Sequence, residues 1–256
     1  MFNQPFCLLY ICRYSDWDIN AITQQWMYLL NDQEQDRYHR IRHQDTQTQH
    51  LIARVLLRKK LAEITQIAPE NLCFNRNEFG RPSLVNSDRK IDFNVSHTQG
   101  IVIAAITNCG KVGVDIEIKK RKNHFIDIAE HYFHAKEVLA LKEAGAEQIE
   151  LFFKIWTLKE AYVKALGVGL QKSLSSFYFE INRQNKIHLI DEQETPASKK
   201  HNITGFNAPL FEDFYLSVLQ QLPPEQFSVE PNMYFCTESF DTHLTEIKDI
   251  ISVSKQ

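Results

Sequence analysis

The order of secondary structure predicted from the sequence indicates an α+β fold made of two halves with a similar design. Each half begins with helices, in which apolar residues recur at helical spacing, and ends with strands rich in β-branched residues. A turn at 108–111 separates the halves. The 256 residues are enough for one large domain or two small ones. We therefore expect an N-terminal lobe over 1–108, a C-terminal lobe over 109–222 and a tail over 223–256.

The N-terminal half shows both helical and strand periodicities. Leu51, Val55 and Leu56 recur at helical spacing in the longer helix, and Pro69 closes that region. Turn residues predict a loop over 77–82, and Ser96–Gln99 is predicted as a polar turn between two strands. The predicted helices cover 19–30 and 37–64, and the predicted strands cover 6–12, 72–75, 91–95 and 100–107.

The C-terminal half repeats this order of elements. Gly167 follows the longest predicted helix at the position where a glycine commonly ends one. The predicted helices cover 125–142 and 147–166, and the predicted strands cover 112–118, 177–182, 187–190, 202–206 and 214–219. No obvious residue-level repeat links the two halves, so a structural duplication is a hypothesis from the order of elements alone. The tail after Pro223 and Pro224 carries no motif that we can assign.

Charge and cysteine content argue against several classes of protein. The formal net charge of −3 is not that of a general nucleic-acid binder. The five cysteines are scattered and form no Cys-x-x-Cys pair, which is typical of a reducing compartment. The apolar run over 6–12 is too short to span a membrane. We expect a cytoplasmic protein that binds neither nucleic acid nor a membrane.

One segment is strongly basic in spite of the negative net charge. Asp45 is the only acid between its first and last cation. A basic run of this kind forms either a solvated helical face or a surface for phosphate or an acidic partner. The sequence leaves both interpretations open. The cations of the run are Arg37, Arg40, Arg42, Arg54, Arg58, Lys59 and Lys60.

Two carboxylates share one face of a predicted strand. Side chains alternate along a strand, so Asp115 and Glu117 point one way, and Val114, Ile116 and Ile118 point the other way. Neighbouring carboxylates repel each other unless a cation or a proton holds them together. One or two carboxylates, completed by water and substrate phosphate, suit Mg²⁺. The alternative interpretation is a strand with a polar, solvated face.

A carboxylate and an ammonium lie on one face of an otherwise apolar helix. Glu160 and Lys164 are four residues apart and are therefore neighbours on the helix surface. Charged groups in such a helix are costly unless they are paired or used. One interpretation is a surface ion pair between them. In the other interpretation, Glu160 is a metal ligand or a base and Lys164 holds phosphate.

A third cluster combines hydrogen-bond donors that suit phosphate. Arg81, within Gly80-Arg81-Pro82, is a permanent cation on a loop, and Ser96 and His97 donate hydrogen bonds at a strand end. A hydrolase built on Ser96 and His97 is disfavoured, because adjacent strand residues point apart and no Gly-x-Ser-x-Gly motif occurs. A structural role for His97 is the alternative interpretation.

Taken in order, these clusters resemble the successive motifs of the 4′-phosphopantetheinyl transferase superfamily. The resemblance extends more loosely from about Arg37 to about Leu219, and the chain length is similar to that of the long, surfactin-synthetase-activating (Sfp) type. The matching segments are Gly80–Pro82, Phe93–His97, Gly113–Glu117, Tyr132–Glu137 and Trp156–Lys164.

The resemblance implies a fold, a reaction and partners. The fold would be two similar α+β lobes of antiparallel sheet and helices, related by a pseudo-twofold, with one site between the lobes of a monomer. The reaction would transfer the 4′-phosphopantetheine group of coenzyme A to a serine of an apo acyl or peptidyl carrier protein, releasing 3′,5′-ADP. Mg²⁺ would be the cofactor. Carrier proteins are typically acidic, so the basic run would have a partner.

The resemblance also assigns roles to residues. Asp115, Glu117 and Glu160 would bind Mg²⁺, and Glu160 would be the general base for the carrier serine. Lys164, together with Mg²⁺, would neutralise charge on the leaving diphosphate, which makes Glu160, Lys164 and Asp115 the catalytic residues. The residues that would hold coenzyme A are Arg81, Ser96, His97 and Lys164.

One departure from the family pattern concerns the 3′-phosphate of coenzyme A. The family often places basic residues before a Leu-x-x-Arg helix, whereas this chain has the sequence 45–50, Asp-Thr-Gln-Thr-Gln-His. Arg37, Arg40 or His50 would have to compensate, and Arg54 would serve either this site or the structure.

Two other classes of function remain as alternatives. A different Mg²⁺-dependent enzyme that cleaves diphosphates would use the same carboxylates without a carrier protein. A non-catalytic carrier-binding module would keep the fold without the chemistry, although the expected metal ligands and Lys164 are all present in this sequence.

Overall fold

Two β-sheets packed face to face form the centre of the molecule, and helices cover their outer faces. This arrangement is seen in a computed structural model that describes residues 4–119, 124–181, 186–193, 201–226, 229–245 and 251–255. In chain order, the α-helices are α1 (Ile19–Trp26), α2 (Asp32–Arg40), α3 (Gln44–Thr65), α4 (Phe125–Tyr132), α5 (Ala135–Glu143) and α6 (Gln148–Leu166).

The strands fall into the N-terminal part, the C-terminal part and the tail. The first five are β1 (Cys7–Arg13), β2 (Phe74–Arg76), β3 (Pro82–Leu84), β4 (Asp92–Thr98) and β5 (Ile101–Thr107). The next five are β6 (Lys111–Ile118), β7 (Phe177–Ile181), β8 (Ile187–Asp191), β9 (Asn202–Leu210) and β10 (Phe214–Leu222). The tail contributes β11 (Asn232–Cys236), β12 (Thr242–Thr245) and β13 (Ile251–Lys255).

The tail strands take part in both sheets. The N-terminal sheet has the order β12-β11-β1-β5-β4, and the C-terminal sheet has the order β6-β10-β9-β13-β8-β7. Among the residues that the structure describes, strand pairs are antiparallel except for two that the tail makes, since β11 runs parallel to β1 and β13 runs parallel to β8. The tail, for which the sequence offers no motif, therefore completes the sheet of each lobe.

The main apolar core lies between the two sheets. It combines alternate residues of β1 and β5, such as Leu9 and Ile103, with alternate residues of β6 and β10, such as Val114 and Val218. Val114, Ile116 and Ile118 belong to this cluster, which confirms that the apolar face of β6 points away from its carboxylates. On the outer faces, α3 covers the N-terminal sheet and α6 covers the C-terminal sheet.

The predicted class, an α+β fold of largely antiparallel sheets with helices, is confirmed, but two predicted helices are each divided in two. The stretch over 37–64 breaks after α2, where Ile41 has an extended backbone. The stretch over 125–142 breaks at Phe133, because His134 and Glu137 form a capping box that starts a new helix. The sequence pattern did not reveal either break.

The predicted polar turn at Ser96–Gln99 is also wrong in its extent. β4 continues to Thr98, which pairs with Ile101 of β5, and the turn is the two residues Gln99 and Gly100. Gly100 has a φ of 82°, a conformation that favours glycine. Ser96 and His97 therefore lie within a strand, so their side chains point to opposite faces.

None of the helices in the described parts of the chain is long and apolar enough to cross a membrane.

Phe240 attaches the tail to the N-terminal core. Its side chain is 0% exposed and contacts Trp17 and Trp26 edge to face, with ring centroids 5.7 and 6.2 Å away. Lys59 secures the same turn by donating a hydrogen bond of 2.8 Å to the carbonyl of Ser239. The tail thus supplies a core residue as well as strands.

We expect Phe240→Ala to lower the free energy of unfolding by about 3–5 kcal/mol, the usual cost of deleting a buried phenyl ring. Phe211→Ala is a matched control, because both residues have a positive φ (61° and 54°) but Phe211 is 38% exposed. Its loss should be about half as large or smaller. Urea denaturation measures both, and equal losses would show that Phe240 is not a core residue.

Candidate active site

The two lobes meet where the edge strand of one sheet faces the edge strand of the other. Alternate backbone N–H groups of β6 point out of their own sheet and would be buried without partners. Side chains from one face of β4 accept these hydrogen bonds in place of a strand backbone. The bonds run from Val112 N to Asp92 Oδ2 (2.8 Å), from Val114 N to Asn94 Oδ1 (3.0 Å) and from Ile116 N to Ser96 Oγ (3.3 Å).

Two cations satisfy the outward carbonyl groups of the same edge. Arg81 Nη2 donates to Val112 O (2.8 Å) and to Asp92 Oδ2 (2.5 Å), and Lys164 Nζ donates to Val114 O (3.2 Å). Arg81 also donates to the main-chain carbonyl of Lys164 near the end of α6. The fork of the guanidinium therefore joins β4, β6 and α6 at one point.

Gly113 allows α6 to approach β6 closely. A Cβ atom on Gly113 would lie 2.0 Å from the carbonyl oxygen of Ala161 and 2.4 Å from the backbone nitrogen of Ala165. Only a glycine leaves room for the helix backbone at this position. Because Asp115 lies two residues further along the same strand face, it also faces α6.

Asp115, Lys164 and Ser96 form a tight polar cluster at this contact. Asp115 Oδ1 accepts hydrogen bonds from Lys164 Nζ (2.6 Å) and Ser96 Oγ (2.9 Å). Lys164 Nζ also lies 3.1 Å from Ser96 Oγ. Asp115 Oδ2 is buried and has no hydrogen-bond partner among the described residues. The cluster thus holds one carboxylate oxygen and leaves the other available.

Glu160 lies within electrostatic reach of this cluster. Burial raises the pKa of Glu160, Asp115 raises it further, and the Lys164 ammonium opposes both effects. Glu117 follows Asp115 on the same strand face and is partly exposed. Mutual repulsion between carboxylates is what an additional cation would relieve.

The fit of a metal ion can be judged from these donors. Within the described ranges, no group of three His, Cys, Asp or Glu side chains is close enough to hold a metal ion by itself. Asp115 and Glu160 nevertheless offer hard oxygen atoms, including the unpartnered Oδ2 of Asp115. Mg²⁺ commonly takes only one or two protein carboxylates and completes its shell with water and substrate phosphates. The residues present therefore fit Mg²⁺ bound together with a phosphorylated substrate.

A cationic cleft leads away from the cluster into the N-terminal lobe. It consists of three cavities of about 270, 280 and 740 Å³. Glu160 and Lys164 line the first, and His97 lines the second, which meets the first at Pro82 and Asn94. Both of the cavities in the N-terminal lobe are lined by Arg37, His50, Arg54 and Arg76.

Cations outnumber anions where these cavities meet. Burial and the charges of Arg54 and Arg37 lower the pKa of His50, against a hydrogen bond to the carbonyl of Glu34. Burial likewise lowers the pKa of Arg54, and the charges of Arg76 and Arg37 add to this effect. The carboxylate of Glu34 is 3.7 Å from Arg54 Nε and 2.8 Å from Arg58 Nη2. A bound anion would relieve the remaining repulsion.

The structure brings most of the predicted site residues to one junction. Asp115, Glu160, Lys164 and Ser96 meet there, and His97 lies at the start of the cleft. Arg37 and His50 line the cleft further out, as does Arg40. Arg81 and Ser96 make their hydrogen bonds within the junction, so their contact with coenzyme A remains a prediction.

Sequence reasoning missed several residues of the site. Arg76 lines two of the cavities but belongs to no motif, and Arg54 lines the same two, although the sequence also allows a purely structural role for it. Asn94 lies within the Phe93–His97 segment, so the motif points to its neighbourhood but not to its amide in particular. Its position between two cavities depends on the pairing of the lobes, which the sequence does not display.

An α+β protein with carboxylates and a lysine at its lobe junction, beside a cationic cleft, has the features of an enzyme that acts on a phosphorylated substrate. Comparison with known proteins identifies the family. A model of the 4′-phosphopantetheinyl transferase superfamily matches residues 111–218, and a model of the 4′-phosphopantetheinyl transferase N-terminal region matches residues 16–108. The chain belongs to the 4′-phosphopantetheinyl transferase superfamily and is of the Sfp type.

Individual relatives support this assignment. The 4′-phosphopantetheinyl transferase gsp of Aneurinibacillus migulanus is 36% identical over 65% of this chain and 66% of its own length. The candidate 4′-phosphopantetheinyl transferase slr0495 of Synechocystis is 31% identical over 65% of this chain and 69% of its own length. The Sfp protein of Bacillus subtilis is 26% identical over 65% of this chain and 73% of its own length. The matched part therefore spans between about two thirds and three quarters of the length of these relatives.

We expect Arg81→Lys to lower the free energy of unfolding by about 2 kcal/mol, because a lysine keeps the charge but cannot bond Asp92, Val112 O and α6 together. Urea denaturation provides the measurement. Arg89→Lys is the control, since Arg89 is exposed and its replacement should change stability by less than about 0.5 kcal/mol. Equal effects of the two substitutions would contradict the role of Arg81 as a clamp.

Proposed function

We propose that this chain transfers the 4′-phosphopantetheine group of coenzyme A to a serine of an apo acyl or peptidyl carrier protein. The observation that carries the proposal is the junction of Asp115, Lys164 and Glu160, which opens into a cationic cleft. Coenzyme A is a polyanion, and a diphosphate needs both cations and a metal ion beside it. Membership of the family supports the same reaction.

The cleft gives coenzyme A a binding direction. The adenosine end with its 3′-phosphate would occupy the cavities lined by Arg37, His50, Arg54 and Arg76, where a phosphate relieves repulsion among cations. The diphosphate would then reach His97 and Lys164 at the inner end of the cleft. Arg54 and Arg76 would supply the charge that the segment 45–50 lacks.

Asp115 and Glu160 would hold Mg²⁺, with Glu117 as the third protein ligand. The ion, when bound, would neutralise charge on the diphosphate oxygens. Lys164 would contribute a second positive charge, and its hydrogen bond to Asp115 Oδ1 keeps the ammonium beside the carboxylates before substrate binds. Ser96 and Arg81 would act by positioning Asp115 and α6.

Glu160 would accept the proton of the carrier serine, directly or through a water molecule. The serine oxygen then forms a bond to the β-phosphorus of coenzyme A. The bond from that phosphorus to the bridging oxygen breaks, and 3′,5′-ADP leaves with the electron pair.

The oligomeric state and location follow from this proposal as predictions. A site built between the two lobes of a single chain requires no second copy, so we propose a monomer. The described part of the chain has five free cysteines, which is compatible with a reducing, cytoplasmic location.

Intact mass spectrometry of an apo carrier protein, incubated with this chain, coenzyme A and Mg²⁺, tests the proposal. We expect a mass gain of one phosphopantetheine group. Glu160→Gln should reduce the rate by at least about 100-fold, since it removes a base and a metal ligand. Chelation of the metal ion should also abolish the gain.

Glu143→Gln is the matched control, because Glu143 is exposed at the end of α5 and should leave the rate unchanged. Fatty acid, polyketide and peptide synthetase carriers should all be tried. Cleavage of coenzyme A without any carrier would favour a different diphosphate-cleaving enzyme. No mass gain on any carrier, with coenzyme A left intact, would favour a binding module instead.

Coenzyme A binding should be accompanied by proton uptake at His50. The lowered pKa leaves this side chain neutral at pH 7, and a phosphate beside it would raise the pKa towards or above its ordinary value. The complex then binds more protons than the free protein, so affinity gains from protonation as the pH falls below 7. Calorimetry at pH 6.5 in buffers of different ionisation enthalpy measures this uptake.

His50→Gln should remove most of that uptake, and His39→Gln should not, because His39 is exposed on α2 and lines none of the cavities described above. His97 also has a pKa lowered by partial burial and by Lys164, so part of the uptake should persist in the His50 variant. Equal proton uptake by the wild type and His50→Gln would place the phosphate elsewhere.

A further inference from the structure

A network of hydrogen-bonded, buried polar side chains lies beneath α6, outside the cleft. Thr157 of α6, Ser217 of β10 and Asn207 of β9 are each 0% exposed. Asn207 Nδ2 donates to Ser217 Oγ (2.9 Å), and Ser217 Oγ lies 2.8 Å from Thr157 Oγ1. Thr157 Oγ1 also lies within hydrogen-bond distance of the carbonyls of Phe153 (2.9 Å) and Lys154 (3.2 Å). Either hydroxyl can be the donor between Thr157 and Ser217.

At the sheet, this network lies beside Asp115, the predicted metal ligand. Ser217 is the direct partner of Asp115 in the register of β10 and β6, and Asn207 is the direct partner of Ser217 in the register of β9 and β10. Directly paired residues point to the same face of a sheet. Asp115, Ser217 and Asn207 thus form one row across three strands, under the helix that carries Glu160.

On α6, contacts with the sheet lie on both sides of Glu160 in the sequence. Thr157 precedes Glu160 by three residues, and Ala161, whose carbonyl is pressed against Gly113, follows it directly. Both contacts connect α6 to the sheet of which β6 is the edge strand. One contact between α6 and the sheet therefore lies on either side of Glu160.

Burying such a polar network costs free energy of folding. Neutral polar groups in a core cost free energy unless every partner is present, and an apolar residue at each position would pack without that cost. Asn207 Oδ1 has no hydrogen-bond partner among the described residues, so one acceptor of the network is unsatisfied. Hydrogen bonds differ from apolar contacts in being directional, and direction is what the placement of two carboxylates around one cation requires.

We propose that Thr157, Ser217 and Asn207 are positioning residues that hold α6 in the register that brings Glu160 to Asp115 for a divalent cation. The inference rests on the proposed function, because it takes these two carboxylates as ligands of Mg²⁺. The three residues touch neither the cation nor coenzyme A. They act by keeping the helix from sliding or rotating over β6.

The test measures cation binding directly, without any carrier protein. Mn²⁺, a spectroscopic substitute for Mg²⁺, is titrated into the full-length protein with coenzyme A present. The loss of the electron paramagnetic resonance signal of free Mn²⁺ gives the dissociation constant. Thr157→Val keeps the shape but removes the hydroxyl that contacts Ser217. We expect it to weaken Mn²⁺ binding about tenfold or more, as is usual when support of a metal ligand is lost. Thr157→Ser keeps the hydroxyl and should bind Mn²⁺ as the wild type does.

Thr107→Val is the matched control for lost stability. Thr107 is also 0% exposed, and its hydroxyl donates to the carbonyl of Phe6 (2.7 Å), in the N-terminal lobe. It should leave Mn²⁺ affinity unchanged. Ser217→Ala provides a second disruption in case Thr157→Val does not fold, since it keeps the bond from Thr157 to Phe153.

The outcomes separate this inference from the proposed function. Weaker Mn²⁺ binding by Thr157→Val or Ser217→Ala, with normal binding by Thr157→Ser and Thr107→Val, supports the positioning role. Equal affinities in all folded variants and the wild type would overturn it while leaving the proposed function intact. A wild-type chain that binds no Mn²⁺ with coenzyme A present would overturn the metal site and the positioning role together.

Discussion

The rest of this structure depends on the contact between two edge strands that belong to different sheets. Each outward N–H of β6 between 112 and 116 finds a side chain of β4, and the outward carbonyls of Val112 and Val114 find Arg81 and Lys164. Side-chain acceptors at every second residue can replace a strand backbone because both repeat with a period of two. These hydrogen bonds join the two lobes. We call this contact between β4 and β6 the seam, and the candidate active site lies along it.

The seam explains why structural and functional roles overlap. Lys164 satisfies a backbone carbonyl and also neutralises Asp115, while Ser96 accepts from the backbone of β6 and donates to the same carboxylate. A substitution at such a residue would change both stability and chemistry. Effects on the two should therefore be measured separately, and stability should be compared with controls remote from the seam.

The tail and α6 also connect parts of the structure that are far apart in the sequence. Strands β11 and β12 extend the N-terminal sheet and β13 enters the C-terminal sheet, so the final segment of the chain connects both lobes. Helix α6 carries Glu160 and Lys164 over β6, and Gly113 allows the close approach that brings them near Asp115. Long cationic side chains, such as Arg37 and Arg76, line the cationic cleft further out from the junction.

Local patterns in the sequence determined the class of fold, most of the strands and helices, and the chemistry of the motif residues. Alternation placed Asp115 and Glu117 on one face of β6, and helical spacing placed Glu160 beside Lys164, because both periods are properties of the backbone alone. The tertiary structure decided which strands pair, where helices break, and that Arg54, Arg76 and Asn94 line the cleft. It also decided that Ser217, distant in sequence from every motif, lies next to Asp115. These facts depend on contacts between residues far apart in the chain, which no local period encodes.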